Sequence, residues 1–293
     1  MLQAVVLVGA GYYLLRQIAP HWPAIREREF AWHAGPLLLG SALVLLTLAV
    51  LISAWTASLR WCAARIHGLD AAKVWFTANL ARFLPGGVWQ FASLAVMASR
   101  YGVTPAAATA TVLLEQIVLL LTGLAVVAAF TPIVLHATWW RAALAVALVL
   151  GAAILLLLPR LTRRLPSLTL VWSQLRAKQL LLFALMLTVP WLLYGLAFRL
   201  LALGLLEPVS GSWGFYIAAF TGSYLAGVIA VFAPAGLLVR EAALISVLTP
   251  VLGGGDAVIL AVASRVWLTA LEILAGLVVL ALPSPSVAEE LNS

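Results

Sequence analysis

The stretch N-L-A-R-F-L-P-G-G-V-W-Q, residues 79–90, lies between long apolar runs. It nevertheless holds Arg82, Pro85 and two consecutive glycines, Gly86 and Gly87. A lipid-facing helix has no use for that combination. The arginine costs free energy in hydrocarbon, the proline removes a backbone donor, and the glycines weaken a helix. Irregular polar backbone at membrane depth survives only where protein surrounds it or water reaches it. The stretch therefore reads as a loop at the membrane surface or as the mouth of a re-entrant segment lining a cavity.

The rest of the chain supplies the membrane. Of its 293 residues 65% are hydrophobic and 9% charged, and the mean hydropathy is +1.11. A soluble domain carries about a quarter charged residues. The composition predicts an all-α polytopic membrane protein with one integral domain, residues 1–282, and a polar tail, 283–293. Fifteen Arg and two Lys against ten acids give a net charge of +7. Loop charges of the positive-inside kind and attraction to anionic headgroups both account for such an excess. A single cysteine, Cys62, excludes internal disulfides and thiolate metal clusters.

Outward from residues 79–90, apolar runs predict spans at Leu2–Ile18, Pro36–Leu59, Ala106–Phe130, Ala142–Leu158, Gln179–Leu203, Gly214–Phe232 and Ala257–Leu282. Arg60–Arg82 mixes cations with Trp61, Trp75 and Phe76, as an interfacial helix does. Pro190 predicts a kink in its span. Leu84–Ser99 and Ala233–Leu252 are too short for an untilted crossing and read as re-entrant. With seven spans, the connections Arg60–Arg82 and Pro159–Lys178 share a side and hold nine Lys/Arg, against four opposite. That bias puts the N-terminus in the cytoplasm.

The two short segments echo each other. F-L-P-G-G-V-W-Q begins at Phe83 and F-A-P-A-G-L-L-V-R-E at Phe232. Pro85 and Pro234 are 149 positions apart, Glu115 and Arg265 are 150 apart, and Gly123 and Gly276 are 153 apart. The offsets imply repeat halves at roughly 36–130 and 179–282. Paired broken segments in corresponding positions of two halves point to a transporter's substrate site. Seven spans make the copies parallel. An inverted pair needs an odd number of crossings between them, hence one span fewer or more.

The candidate site residues follow from this frame. Arg265, Thr269, Glu272 and Gly276 share one helix face. Glu115 lies on a face with Thr111 and Thr122. Arg265 has Glu115 or Glu241 as prospective partner, and Glu272 has Arg240 or Arg82. Arg82, Arg240 and Arg265 suit a phosphate, because the planar guanidinium can bind two oxygens at once. Glu115, Glu241 and Glu272 would balance those charges, carry protons or read a cationic headgroup. Helix starts after Pro85-Gly86-Gly87 and at Pro234–Gly236 would add backbone donors, with Asn79 and Gln90 flanking the first. The same charges could equally be buried ion pairs that fix helix register.

No metalloprotease, serine-hydrolase or nucleotide-loop motif occurs. The four histidines, His21, His33, His67 and His136, all lie in connections, and the twelve Trp gather mostly near span ends. The expectation is no catalytic constellation, no metal, no cofactor and no nucleic acid.

These residues resemble the multi-span domain of the lysylphosphatidylglycerol synthase/flippase family. The likeness rests on Asn79, Arg82 and Pro85-Gly86-Gly87-Val88-Trp89. It continues in Pro234-Ala235-Gly236, Arg240-Glu241-Ala242-Ala243-Leu244 and Arg265, and covers most of the chain. The chain departs from the family at Ala235, where glycine is usual, and has no room for a soluble aminoacyl-transferase domain. The resemblance implies a stand-alone module of the bacterial cytoplasmic (inner) membrane that moves a lipid between leaflets. Its substrate would be an anionic or zwitterionic lipid, such as a polyprenyl-phosphate sugar or an aminoacylated phospholipid. A scaffold for a glycosyltransferase or envelope-synthesis enzyme, and an integral transferase, are the alternatives.

Overall fold

A computed structural model describes residues 32–61, 65–81, 89–130, 177–229 and 238–283. Every regular element among them is a helix. In chain order they are α1 (Ala34–Trp61), α2 (Gly68–Leu80), α3 (Trp89–Ser99), α4 (Pro105–Phe130), α5 (Ala177–Leu205), α6 (Trp213–Ile229), α7 (Val239–Leu252) and α8 (Gly254–Ala281). Four of them, α1, α4, α5 and α8, are long and apolar enough to cross a membrane. The predicted spans Leu2–Ile18 and Ala142–Leu158 lie outside the described residues, as do most of the connections 19–35 and 159–178 and nearly all of the tail.

Local chemistry sets the helix ends. His67 Nδ1 accepts from Leu69 N at 3.4 Å to start α2, and Asp70 in the first turn complements the helix dipole. Thr104 Oγ1 accepts from Ala107 N at 3.2 Å, and Pro105 takes the first helical position of α4. Ser212 Oγ does the same for α6, accepting from Phe215 N at 3.2 Å. Helix α5 runs unbroken through Pro190.

Helices α1 and α5 pack along their lengths and run antiparallel. His33 N donates to Gly204 O at 3.0 Å near one end. Gly40 faces Leu200, and at the other end the rings of Trp61 and Phe183 meet edge to face, 5.1 Å between centroids. Helix α4 runs parallel to α5. Leu114 and Val118 pack on Phe183 and Leu187, while Trp191 Nε1 donates to Leu119 O at 3.0 Å and Val126 lies in the same cluster as Trp191.

The two short stretches without described residues, 82–88 and 230–237, each separate two helices that pack on one another, α2 with α3 and α6 with α7. The hairpins occupy matching places. Pro105 and Gly254, which open α4 and α8, are 149 positions apart. Exchanging α1 with α5, α2 with α6, α3 with α7 and α4 with α8 maps each substantial packing pair onto another. Thus α1·α2 matches α5·α6, α3·α4 matches α7·α8, α4·α6 matches α8·α2, α4·α5 matches α8·α1, and α1·α4 matches α5·α8. Gly123 faces Leu225 of α6, and Gly276 faces Phe76 of α2, at counterpart crossings.

Since α1 and α5 exchange and run antiparallel, the exchange reverses helix direction. The two four-helix sets are inverted relative to one another, not parallel as a seven-span count requires. The difference lies in α6. Its apolar run reads as a span, and its described part, Trp213–Ile229, stands where α2 stands in the first set. It is apolar because Phe215, Tyr216, Ile217, Ala218, Ala219 and Phe220 are all buried within the protein. The largest core cluster joins Phe215, Tyr216, Ala219 and Phe220 to α5, α7 and α8. A second cluster binds α1, α2, α3 and α4 through Trp55, Leu59, Val74, Leu94, Ala98 and Val112.

Candidate functional site

The hairpins reach α8 from its two ends. Along α2, Lys73 Nζ donates to Leu282 O at 2.5 Å, Phe76 packs on Gly276, and Asn79 Nδ2 donates to Glu272 Oε1. Three contacts with opposite numbering make α2 antiparallel to α8, its last turn level with Glu272. From the other end, α7 folds back on α8 around Gly253, which brings Glu241 to Arg265. Their Oε1 and Nε atoms are 3.7 Å apart, and the side chains are 9% and 20% exposed. Arg265 and Glu272 are seven residues apart, about 10 Å along the helix. The inner ends of both hairpins thus meet neighbouring turns of α8.

Glu241 does two jobs. While Oε1 faces Arg265, Oε2 accepts from Leu238 N at 2.6 Å, closing the first turn of α7. Leu238 holds a left-handed backbone, φ 73°, which costs a non-glycine residue about 1–2 kcal/mol. The carboxylate offsets that strain by holding the turn.

Arg240 points elsewhere. Its guanidinium carbon lies 4.6 Å from the Phe220 ring centroid and 5.3 Å from that of Tyr224. The side chain is buried, and Nη2 has no hydrogen-bond partner among the described residues. Desolvated cation–π contacts contribute about 2 kcal/mol, while a buried unpaired donor costs about 1–3 kcal/mol. The aromatic rings sit against the guanidinium, and among the described residues Nη2 has no hydrogen-bond partner.

On the opposite half, Thr111, Glu115 and Thr122 of α4 are all buried. Thr111 and Thr122 donate back to carbonyls of their own helix, and Thr122 also accepts from Trp191 Nε1 at 3.2 Å. No described residue donates to or pairs with the Glu115 carboxyl.

Of the two partners considered for Arg265, Glu241 is the one at hand. Glu272 meets Asn79, a pairing not anticipated, and Arg240 lies over rings. Gln90 is half-buried in the first turn of α3. Arg82, Pro85, Gly86, Gly87, Pro234 and Gly236 lie outside the described residues. Phe220 and Tyr224 were missed as site residues, although their i, i+4 spacing puts both on one face of α6. Among the described residues, no three of His, Cys, Asp and Glu come together as a metal site.

Comparison with protein-family models and with curated proteins finds no match for this chain.

Proposed function

We propose that this chain moves a lipid with an anionic or zwitterionic headgroup between the leaflets of a membrane, as the family resemblance implies. The observation that carries the reading is Arg240: a buried guanidinium with one nitrogen that has no hydrogen-bond partner among the described residues, in the first turn of a helix that opens where two inverted hairpins converge. A phosphate oxygen would satisfy that nitrogen, with Arg265 on α8 adding a second positive charge. A polyprenyl-phosphate sugar and an aminoacylated phospholipid both present such a phosphate.

The inverted placement of the two helix pairs, α2–α3 and α6–α7, supports re-entry. An α6–α7 hairpin that stops part-way would enter from one face, and α2–α3 from the other. Such an arrangement offers a polar path for the headgroup while acyl chains stay in lipid. In this reading the protein sits in the bacterial cytoplasmic (inner) membrane with its N-terminus inside.

The test is reconstitution of the full chain into vesicles with headgroup-labelled phosphatidylglycerol, phosphatidylethanolamine and polyprenyl phosphate as probes, scored for exchange between leaflets. Exchange of at least one probe, lost in Arg240→Ala and Arg265→Ala, is expected. Exchange that survives both substitutions, or none with any probe, overturns the reading. A stoichiometric envelope-synthesis enzyme in pulldowns without lipid movement would favour a scaffold.

A further inference from the structure

The inverted arrangement puts unlike charges at like positions. Glu115 on α4 and Arg265 on α8 are 150 residues apart, within one residue of the offset between the starts of α4 and α8, Pro105 and Gly254. Each sits in the long helix that follows its hairpin. Arg265 has Glu241 beside it. The residue 150 positions before Glu241 is Phe91, so the first hairpin brings no charge from the matching place to Glu115. Of the three candidate carboxylates, Glu241 holds Arg265 and the Leu238 N–H, and Glu272 holds Asn79. Glu115 alone among the three is buried without a described donor or cation.

The surroundings sharpen this. The elements packed on α4 are α1, α3, α5 and α6. Their described charged and titratable side chains are Arg60 on α1, Lys178, Tyr194 and Arg199 on α5, and Tyr216 and Tyr224 on α6; Arg100 follows α3. None of them makes a hydrogen bond or ion pair with Glu115. Arg199 is engaged at the far end of α5, over Trp213 and donating to Gly211 O. Leu114 and Val118, either side of Glu115 on the helix, pack on Phe183 and Leu187. A fixed charge in that setting is costly, whereas a carboxyl group that gains and loses a proton carries charge only when water reaches it.

We propose that Glu115 is a proton-binding site that couples proton passage to the lipid movement proposed above, on which the coupling half of this inference rests. When the site faces water on one side of the membrane, the carboxylate takes a proton from hydronium. After the site has turned to the other face, the neutral acid gives that proton to water and is a carboxylate again. One proton crosses per cycle, and no other group is oxidised, reduced or transferred. The inverted pair then divides the labour: the α7–α8 end presents guanidinium to a phosphate, and the α3–α4 end presents carboxyl to the proton.

Two measurements on the full chain test it. The first is infrared difference spectroscopy of purified protein in detergent across a pH titration, which reads protonated carboxyl directly and needs no lipid probe. A carboxyl C=O band that changes with pH, is absent from Glu115→Gln and persists, shifted, in Glu115→Asp is expected. No Glu115-dependent band overturns the site. The second is the vesicle assay under an imposed pH gradient with a trapped pH dye. For one proton per lipid, each unit of gradient biases the lipid distribution about tenfold. Glu115→Gln should lose the bias and the proton flux, and Glu115→Asp should keep both. An undiminished bias in Glu115→Gln overturns the coupling, as does selective loss of amine-bearing probes, which would make Glu115 a headgroup contact. If no lipid moves at all, the transport reading falls and the infrared band still decides the proton site.

Discussion

Glu241→Ala removes two interactions at once, and the structure separates them. The carboxylate accepts from Leu238 N at 2.6 Å, a charge-assisted bond of about 1.5–3 kcal/mol. Breaking a fully buried ion pair costs about 3–5 kcal/mol. Arg265 is a fifth exposed and 3.7 Å from its partner, so its share falls to about 1–2 kcal/mol once solvent screening is allowed for. The variant should lose about 2.5–5 kcal/mol in all. Glu241→Gln keeps an acceptor for Leu238 N and loses only charge, and about 2 kcal/mol is expected. A double-mutant cycle with Arg265→Met should return a coupling of about 1–2 kcal/mol. Denaturant unfolding in mild detergent micelles reads all four corners of the cycle. Equal losses in the Ala and Gln variants, with no coupling to Arg265, would falsify the account of Glu241 as both cap and counter-ion.

Four further outcomes follow from the packing. Asn79→Asp is nearly isosteric but sets a second carboxylate against Glu272, so it should destabilise more than Asn79→Ala in a thermal melt; the reverse order removes Asn79 from Glu272. A Cβ built at Gly195 lies 2.5 Å from the Ile217 backbone Cα, whereas one at Gly276 lies 3.3 Å from a Phe76 ring carbon that can turn. Gly195→Ala should therefore cost about 1–3 kcal/mol, and Gly276→Ala distinctly less, by the same melt. Gly40 and Leu200 face each other with a built Cβ–Cβ distance of 3.3 Å, close to the range a disulfide uses. In a Cys62→Ser background, Gly40→Cys with Leu200→Cys should oxidise readily and Gly40→Cys with Phe183→Cys should not; the opposite result on a non-reducing gel refutes antiparallel α1 and α5. Trp191→Phe strips donors from Leu119 O and Thr122 Oγ1 and should cost about 1 kcal/mol, read as a lowered denaturant midpoint.

Hydropathy located the long helices to within a few residues, because a span and its neighbours must be apolar over a set length. For α6 it does not decide between a span and a core helix, for a physical reason. Residues such as Tyr216 and Phe220 are apolar to fill a protein core, and composition does not separate that from facing lipid. The recurrence of proline, charge and glycine at offsets near 150 was legible, but its handedness was not. Helix direction depends on an odd or even number of crossings, and one short helix changes the parity. Glu241 could be named as a partner for Arg265 because both lie on a short loop-back through Gly253. The Asn79–Glu272 bond joins residues 193 positions apart, and nothing local announces it. Arg240 over Phe220 and Tyr224 likewise depends on two helices meeting across 230–237.

The antiparallel seam between α1 and α5 has a consequence for how such a chain is made. A four-helix unit whose first helix packs against the reversed copy of itself is a shape that binds its own upside-down form. Two separate half-length chains could assemble this way only if each inserted into the membrane in both orientations during synthesis. Fusing them end to end replaces that gamble with a fixed order, and the joining stretch must then enforce the flip. Residues 131–176 carry Arg160, Arg163, Arg164 and Arg176 near their end, just before the second unit begins. Basic residues beside a nascent span hold it on the cytoplasmic side. Neutralising those four arginines should leave each unit's packing surfaces intact and yet misorient the second. The product would be a chain in which both halves are well formed and the seam never closes.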